Sequence, residues 1–241
     1  MVNYGLQLYS LRDMTENDFE GALRAAAELG YSSIEFAGFF GHSAEEVRAM
    51  LDKYGLTVSS THTGWRELLP EKIDETIRYH RELGCDSLIV PSGSFGTPEK
   101  RDAFMALLAE AQPKLAEAGI KLGYHNHAHE FLPNDSGIVS FPLLEAFEPL
   151  ELEIDVYWAH VAGVDPVDLI RRLRDRIRFI HVKDGTKEKG LAVGEGEVDI
   201  PAIRALALEL GIGMIVESEG CDPTGVEEVG RSIRYLRTLE K

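Results

Sequence analysis

The feature that most constrains the fold of this chain is a unit that recurs along it: an amphipathic helix, a glycine, and then a short apolar strand. Five predicted helices end at such a glycine, namely Gly30, Gly55, Gly84, Gly119 and Gly211. Glycine suits the position after a helix because it adopts left-handed backbone angles without a steric penalty. Strands are predicted directly after these glycines at 33–37, 57–61, 87–91, 121–126 and 213–217, and three more at 4–9, 151–157 and 178–183.

Helices are predicted between these eight strands, and several of their starting points are clear. Ser43 and Glu46 form a capping-box pattern, and Thr97 and Asp165 each precede a proline at the first helical position. The helical segments are 17–29, 43–54, 69–83, 98–118, 141–147, 165–174, 201–210 and 223–239. Because strands and helices alternate without a break in composition, we expect a parallel sheet in one domain that covers residues 1–241.

Eight strand–helix units in 241 residues are typical of a closed (β/α)₈ barrel, the TIM barrel. An open doubly wound sheet is the alternative. That fold usually has a glycine-rich turn after its first strand, whereas residues 7–12 contain no glycine. The barrel is therefore the predicted fold, and its catalytic groups are expected at the carboxyl ends of the strands.

The charge balance and the apolar segments exclude several classes of function. The formal net charge is −16, which argues against nucleic acid as a partner because such binding depends on cationic contacts to phosphate. No stretch approaches the roughly 20 apolar residues of a membrane span, and the first residues do not resemble a signal peptide. Cys85 and Cys221 form no metal-binding motif, so we expect reduced cysteines and a cytoplasmic location.

Four of the predicted strands end with a side chain suited to metal binding or proton transfer. His125, Asp155, His181 and Glu217 share one strand parity, while apolar neighbours such as Ile154 fall on the opposite face. Imidazole and carboxylate ligands together suit a divalent ion such as Mn, Mg, Co or Zn. The sequence therefore predicts one metal site, with these four residues as its ligands.

The end of the fifth strand leaves alternatives open, because several candidate side chains follow one another there. His125 has the parity of a ligand, His127 is in phase one step further along, and Glu130 lies beyond the strand. His127 and Glu130 are candidates for acid–base catalysis, together with Glu217 and Lys183, which is in phase with His181.

Other strand ends supply candidates for substrate binding. Gln7 and Tyr9 are in phase on the first strand, Glu35 ends the second, His62 follows the third, and Trp158 follows the sixth. A structural role inside the barrel is the alternative for each of them. The serine- and glycine-rich segment 91–96 is weak evidence for a phosphate cradle, so a non-phosphorylated substrate is preferred.

With these motifs, the chain resembles the sugar isomerase/epimerase superfamily, whose members have a xylose isomerase-like barrel and include ketose 3-epimerases, inosose dehydratases and the endonuclease IV family. The resemblance covers essentially the whole chain and is carried by residues 5–12, 124–127, 130–131, 155–158, 163–166, 181–184, 193–199 and 216–217. It implies that Asp155, His181 and Glu217 are three of four ligands to one divalent metal. The fourth ligand in related epimerases is a glutamate, where this chain has His125.

The resemblance and the site together predict a metal-dependent isomerase or epimerase that removes a proton α to a carbonyl of a sugar or cyclitol, through an enediolate. A keto-sugar or inosose dehydratase is the alternative, because an imidazole could act as the acid for the leaving hydroxyl. A sugar-binding barrel without turnover and an endonuclease IV-like enzyme are less favoured. We expect a small-molecule substrate, no nucleic acid or membrane partner, and self-association as an option.

Overall fold

Eight parallel strands close into a barrel in the computed structural model, which describes residues 1–240. The barrel strands are β1 (Gly5–Gln7), β2 (Ser33–Phe36), β3 (Thr57–His62), β4 (Ser87–Val90), β5 (Lys121–His125), β6 (Glu151–Asp155), β7 (Ile177–Val182) and β10 (Gly213–Val216). Each strand lies beside the next barrel strand in the chain, and β1 pairs with β10 to close the ring. The predicted (β/α)₈ barrel is confirmed. A two-stranded antiparallel hairpin, β8 (Asp184–Gly185) with β9 (Gly190–Leu191), follows β7 and was not predicted.

Helices connect the strands around the outside of the barrel. They are α1 (Arg12–Thr15), α2 (Phe19–Leu29), α3 (Ala44–Tyr54), α4 (Ile73–Leu83), α5 (Pro98–Glu117), α6 (Phe141–Ala146), α7 (Val156–Val161), α8 (Pro166–Leu173), α9 (Ile200–Leu210) and α10 (Gly225–Thr238). The predicted caps at Ser43, Thr97 and Asp165 are all present. The five predicted glycines all have left-handed backbone angles. No helix within residues 1–240 combines the length and apolar character of a membrane crossing.

The first and sixth strands of the barrel end two residues earlier than predicted, because a side chain at the end of each one starts a helical turn. Gln7 accepts a hydrogen bond from the backbone N–H of Tyr9, and a 3₁₀ turn begins at Leu8. Asp155 accepts one from the backbone N–H of Trp158 and caps α7. The prediction that Tyr9 lies on the first strand is therefore wrong. The prediction that Trp158 directly follows the sixth strand is wrong as well. In both cases a side chain forms a hydrogen bond with a nearby backbone N–H group, and this local bond competes with the hydrogen bonds of the sheet. The alternation of side chains along a strand does not reveal such competition.

Both faces of the strands are buried, as expected for a parallel barrel covered by helices. Leu152 and Ile154 of β6 are almost inaccessible on one face, and Glu153 and Asp155 are equally inaccessible on the other. The register sets the positions of the polar residues along the ring. Asp155 is directly beside His181 of β7. The polar ends of neighbouring strands therefore meet on one side of the barrel.

Candidate active site

A pocket of about 530 Å³ opens at the carboxyl ends of the strands. Parallel barrels of this type carry their catalytic groups at that end. The pocket is lined by Tyr9, Ala37, Gly38, His62, Pro91, His125, His127, Glu217 and Glu219. Residues from both ends of the chain thus meet in one cavity whose wall is rich in imidazole and carboxylate groups.

The four predicted metal ligands form one buried cluster beside this pocket. One donor atom from each of His125, Asp155, His181 and Glu217 lies within 4.8 Å of the others. All four side chains are nearly or fully inaccessible to solvent. Three observations explain the convergence: the four residues share one strand parity, Asp155 is in register with His181, and the Glu217 backbone N–H bonds to Val182 at the end of β7.

The chemistry of this cluster fits a divalent cation. Asp155 Oδ2 and His125 Nδ1 are buried without a hydrogen-bond partner within residues 1–240. Unpaired buried polar atoms are costly, and binding to a cation compensates them. Two imidazoles and two carboxylates form a donor set that suits Mn, Co or Zn, and two ionised carboxylates would neutralise a divalent charge. The cluster can therefore hold one ion at the edge of the pocket.

Burial and neighbouring charges shift the pKa values of these groups in different directions. Burial, followed by the charges of His181 and His62, lowers the pKa of His125 well below its usual range, so its ring is neutral at pH 7. Burial raises the pKa of Asp155 to about 6, although the Lys183 ammonium opposes this rise. Burial also raises the pKa of Glu217, but Lys183 and His181 outweigh it and hold the pKa well below normal.

Lys183 is a buried cation at the centre of the carboxylates. Its ammonium nitrogen lies 3.1 Å from Glu217 Oε2 and 3.8 Å from Asp155 Oδ2, and it also donates a hydrogen bond to Glu219. The same nitrogen lies 4.9 Å from the ring centroid of Trp158, within the range of a cation–π contact. Lys183 therefore balances the negative charge of the site.

Two residues predicted to bind substrate lie beneath the pocket instead. Gln7 and Glu35 are fully inaccessible and are not among the residues that line the cavity. Glu35 accepts hydrogen bonds from Gln7, Ser60 and His181, so its carboxylate is already fully used. Neither residue lines the pocket in this structure, and a direct contact of Gln7 or Glu35 with substrate stays a prediction.

Glu153 is a member of the site that strand parity could have identified but that we did not predict. It lies two residues before Asp155 on the same face of β6, and its Oε2 is 2.7 Å from His62 Nε2 and 3.2 Å from His125 Nδ1. Burial and the Glu35 charge raise the pKa of Glu153 to about 7. The signal in the sequence was a second carboxylate in phase within an apolar strand. The predicted residue His62 lines the pocket and links this carboxylate to it.

The two acid–base candidates predicted in the loop after β5 have different environments. Glu130 is fully buried, and its carboxylate accepts hydrogen bonds from the Tyr124 hydroxyl and the His127 backbone N–H, each at 2.8 Å. His129 also lies 3.0 Å from this carboxylate. His127 lines the pocket, and its Nδ1 has no partner within residues 1–240. His127 therefore reaches the pocket wall, although its Nδ1 is buried, whereas Glu130 positions the loop that carries it.

The two aromatic candidates have different positions. Tyr9 is 46% exposed and lines the pocket, next to Arg12, whose guanidinium carbon lies 4.7 Å from the centre of the Tyr9 ring. Trp158 is half-buried in α7 and is not among the lining residues. Tyr9 can therefore contact a substrate, and Trp158 packs behind the site against Lys183 and against His127, whose ring centroid is 5.9 Å away.

Fold and site together define an α/β barrel with a buried histidine–carboxylate cluster at the carboxyl ends of its strands. The sequence profile of the family described as "xylose isomerase-like TIM barrel" matches residues 23–239. The chain belongs to this family.

Named relatives are enzymes with isomerase, epimerase or lyase names. The chain is 31% identical over 189 residues to an inosose dehydratase of Geobacillus kaustophilus, a match that covers 67% of this chain and 60% of that protein. It is 26% identical over 242 residues to a 2-oxo-tetronate isomerase of Haemophilus influenzae, covering 88% and 93% of the two chains. A solved structure of a sugar phosphate isomerase/epimerase from Parabacteroides distasonis superposes with a TM-score of 0.83 at 26% identity, over 98% of this chain and 95% of that one. These similarities support an enzyme with isomerase/epimerase or lyase activity.

Proposed function

We propose that this protein is a metal-dependent isomerase or epimerase that abstracts a proton α to the carbonyl of a small sugar, keto-sugar or cyclitol. The observation that carries this proposal is the buried cluster of His125, Asp155, His181 and Glu217 at the edge of the pocket. A divalent ion held there would supply Lewis acidity to the carbonyl and hydroxyl oxygens of the substrate.

The side chains around the pocket are assigned separate roles in proton transfer and in substrate binding. Glu217 lines the pocket as an ionised carboxylate and is the candidate base for the α proton. His127 lines the same pocket, so it is the candidate to return or donate a proton. Lys183 holds Glu217 through a 3.1 Å contact and keeps its pKa low. Tyr9 and His62 contribute polar contacts on the remaining wall of the pocket.

A dehydratase of a keto-sugar or inosose is the second candidate, and His127 is the observation that favours it. Burial lowers the pKa of this imidazole below 6.5, so the ring is mainly neutral at pH 7 and can donate a proton only after it has taken one up. Such a group suits protonation of a leaving hydroxyl. The named inosose dehydratase relative supports the same reaction class.

A substrate without a phosphate group fits the pocket best. Glu217 and Glu219 both line it, and the nearby ammonium of Lys183 is already engaged with these two carboxylates. The guanidinium of Arg12 donates hydrogen bonds to the backbone oxygens of Tyr9 and Glu219. A dianionic phosphate would therefore meet negative charge rather than a free cation.

The deciding experiment is a screen of ketoses and inososes in D₂O with the Mn²⁺-, Co²⁺- or Zn²⁺-loaded protein. Both candidate reactions should introduce deuterium at the carbon α to the carbonyl, which proton NMR detects. An epimer or isomer has the mass of the substrate after correction for deuterium, whereas a dehydratase product has lost water. Absence of exchange with every substrate, despite full metal loading, would refute both candidates and favour a binding protein.

A further inference from the structure

Beneath the candidate metal cluster lies a layer of buried polar side chains, which we call the floor network. It consists of Gln7, Glu35, Ser60 and Glu153, and each of these residues is at most 1% exposed. These side chains come from β1, β2, β3 and β6, four strands that surround the bottom of the cluster. None of them lines the pocket, so their route of influence on the reaction is through the residues above.

The hydrogen bonds of Glu35 leave no freedom in its orientation. Ser60 donates to Oε1 at 2.6 Å, while Gln7 Nε2 and His181 Nε2 lie 2.7 Å and 2.6 Å from Oε2. The Gln7 amide is fixed in turn, because its Oε1 accepts from the backbone N–H of Tyr9 at 3.0 Å. That contact assigns the NH₂ group of Gln7 to the Glu35 side.

This geometry determines which carboxylate each nitrogen of His181 faces. A carboxylate only accepts hydrogen bonds, so the ring nitrogen 2.6 Å from it, Nε2, must be the donor. The other nitrogen, Nδ1, lies 3.2 Å from Glu217 Oε2 in the cluster above. The imidazole therefore presents Nδ1 to the cluster and uses Nε2 as an anchor.

We propose that Glu35 is a positioning residue for His181: it anchors the ring through Nε2, so that Nδ1 faces the cluster of Asp155 and Glu217 as the nitrogen that would bind the ion. This inference rests on the proposed metal-dependent function. Carboxylates bonded to the free nitrogen of a ligating histidine fix its tautomer and orientation and increase its basicity. Glu35 does this from β2, three strands away from β7 around the ring, through a contact between residues 146 positions apart.

A second cation is the rival explanation, because His62, His125, Glu153 and His181 also offer donor atoms within 4.8 Å of one another and Glu153 Oε1 has no hydrogen-bond partner within residues 1–240. The shortest contacts, from His181 to Glu35 and from His62 to Glu153, are 2.6 and 2.7 Å and fit hydrogen bonds that already use these atoms. In the cluster above, Asp155 Oδ2 also has no hydrogen-bond partner within residues 1–240. Unpaired buried oxygens thus occur at both levels, and the number of bound ions decides between the two explanations.

The test compares Glu35→Ala and Glu35→Gln with wild type and with Glu151→Gln. Glu151 is the matched control, because it lies at the opposite end of β6 and its carboxylate is far from the pocket wall. Co²⁺ is titrated into each metal-free protein and followed by its visible absorption, which reports both the dissociation constant and the ligand geometry. Circular dichroism verifies that each variant is folded.

We expect Glu35→Ala to weaken Co²⁺ binding roughly 10–100-fold and to change the absorption band, since second-sphere partners of ligating histidines have effects of this size. Glu35→Gln keeps an acceptor oxygen for His181, so it should recover part of the affinity. Glu151→Gln should bind like wild type. A folded Glu35→Ala variant with wild-type affinity and spectrum would overturn the positioning role.

Two further readouts keep the inference testable even if Glu35→Ala does not fold. In the Zn²⁺-loaded wild type, nitrogen-15 NMR should show a protonated, exchange-protected Nε2 and a metal-bound Nδ1 for His181; the reverse tautomer would overturn the proposal. Two ions bound per chain, with one lost in Glu35→Gln, would overturn it in favour of a floor cation. A wild type that binds neither ion overturns the proposed metal function as well, whereas metal binding without sugar turnover refutes only the proposed reaction.

Discussion

Replacing Asp155 with asparagine should stabilise the metal-free protein and abolish its further stabilisation by a divalent ion. Asparagine keeps an Oδ1 that can accept the hydrogen bond from the Trp158 backbone N–H, so the cap of α7 is retained. The substitution removes a fully buried carboxylate whose Oδ2 has no hydrogen-bond partner within residues 1–240. The two effects therefore have opposite signs, which makes the prediction specific.

The stability gain follows from the pKa of Asp155. Burial raises this pKa from 3.8 to about 6, although Lys183 opposes the rise. One pKa unit corresponds to about 1.4 kcal/mol, so ionised Asp155 lowers the free energy of unfolding by roughly 1–3 kcal/mol. Because the folded pKa is above the unfolded one, this penalty is complete above about pH 6 and disappears as the pH falls toward the unfolded value. At pH 7 the metal-free variant should melt roughly 2–12 °C above wild type.

Addition of metal should reverse the order of the two proteins. An ion at 100 times its dissociation constant adds about 2.7 kcal/mol to the native state. For a chain of this length, that corresponds to a rise in Tm of roughly 5–11 °C. Wild type should show this rise with Mn²⁺ or Co²⁺, and Asp155→Asn should show little of it, because the variant lacks a charged ligand.

Differential scanning calorimetry in EDTA and in excess Mn²⁺ measures both effects in the same sample. Asp165→Asn is the control, because Asp165 also caps a helix, α8, by accepting hydrogen bonds from the Val167 and Asp168 backbone N–H groups. The control should respond to metal like wild type. A full metal-induced rise in Asp155→Asn, or a lower metal-free Tm for this variant than for wild type, would refute the reasoning.

Three more predictions concern the site and its surroundings. His181→Ala should lose Mn²⁺ binding in isothermal calorimetry while its far-ultraviolet circular dichroism stays like that of wild type; full occupancy would mean that the ligands are wrongly assigned. Glu217→Gln should lower turnover by at least about 100-fold with only a small change in Tm, because it removes the candidate base; unchanged turnover would exclude Glu217 from the mechanism. Burial lowers the pKa of His80 below 6.5, so wild type should lose more stability than His80→Gln as the pH falls through 6.5 in urea titrations. Equal losses would show that His80 does not contribute to the acid sensitivity.

The sequence was sufficient for the barrel because its determinants are local. The left-handed glycines, the caps at Ser43 and Thr97, and the two-residue alternation of the strands all act over a few positions. Convergence of His125, Asp155 and His181 also followed, because strand parity and the closure of parallel strands leave one end of the barrel for polar residues.

The side-chain contacts between distant strands were beyond such reasoning. Glu35 was predicted to contact substrate, but in the folded chain it binds His181 beneath the pocket. Glu130 was predicted as an acid or base, and its carboxylate is used instead by the Tyr124 hydroxyl and the His127 backbone N–H. For Glu35, parity indicated the correct region of the barrel and could not indicate depth along its axis, whereas Glu130 lies beyond the end of its strand, where parity does not apply.

The sequence alone therefore determined the type and order of the elements, and which face of each strand carries its polar side chains. Only the tertiary structure decided which of those side chains reach the pocket and which support them from below. The physical reason is that parity depends on the alternating backbone of one strand, whereas depth depends on the register between strands and on the hydrogen bonds made across the closed ring.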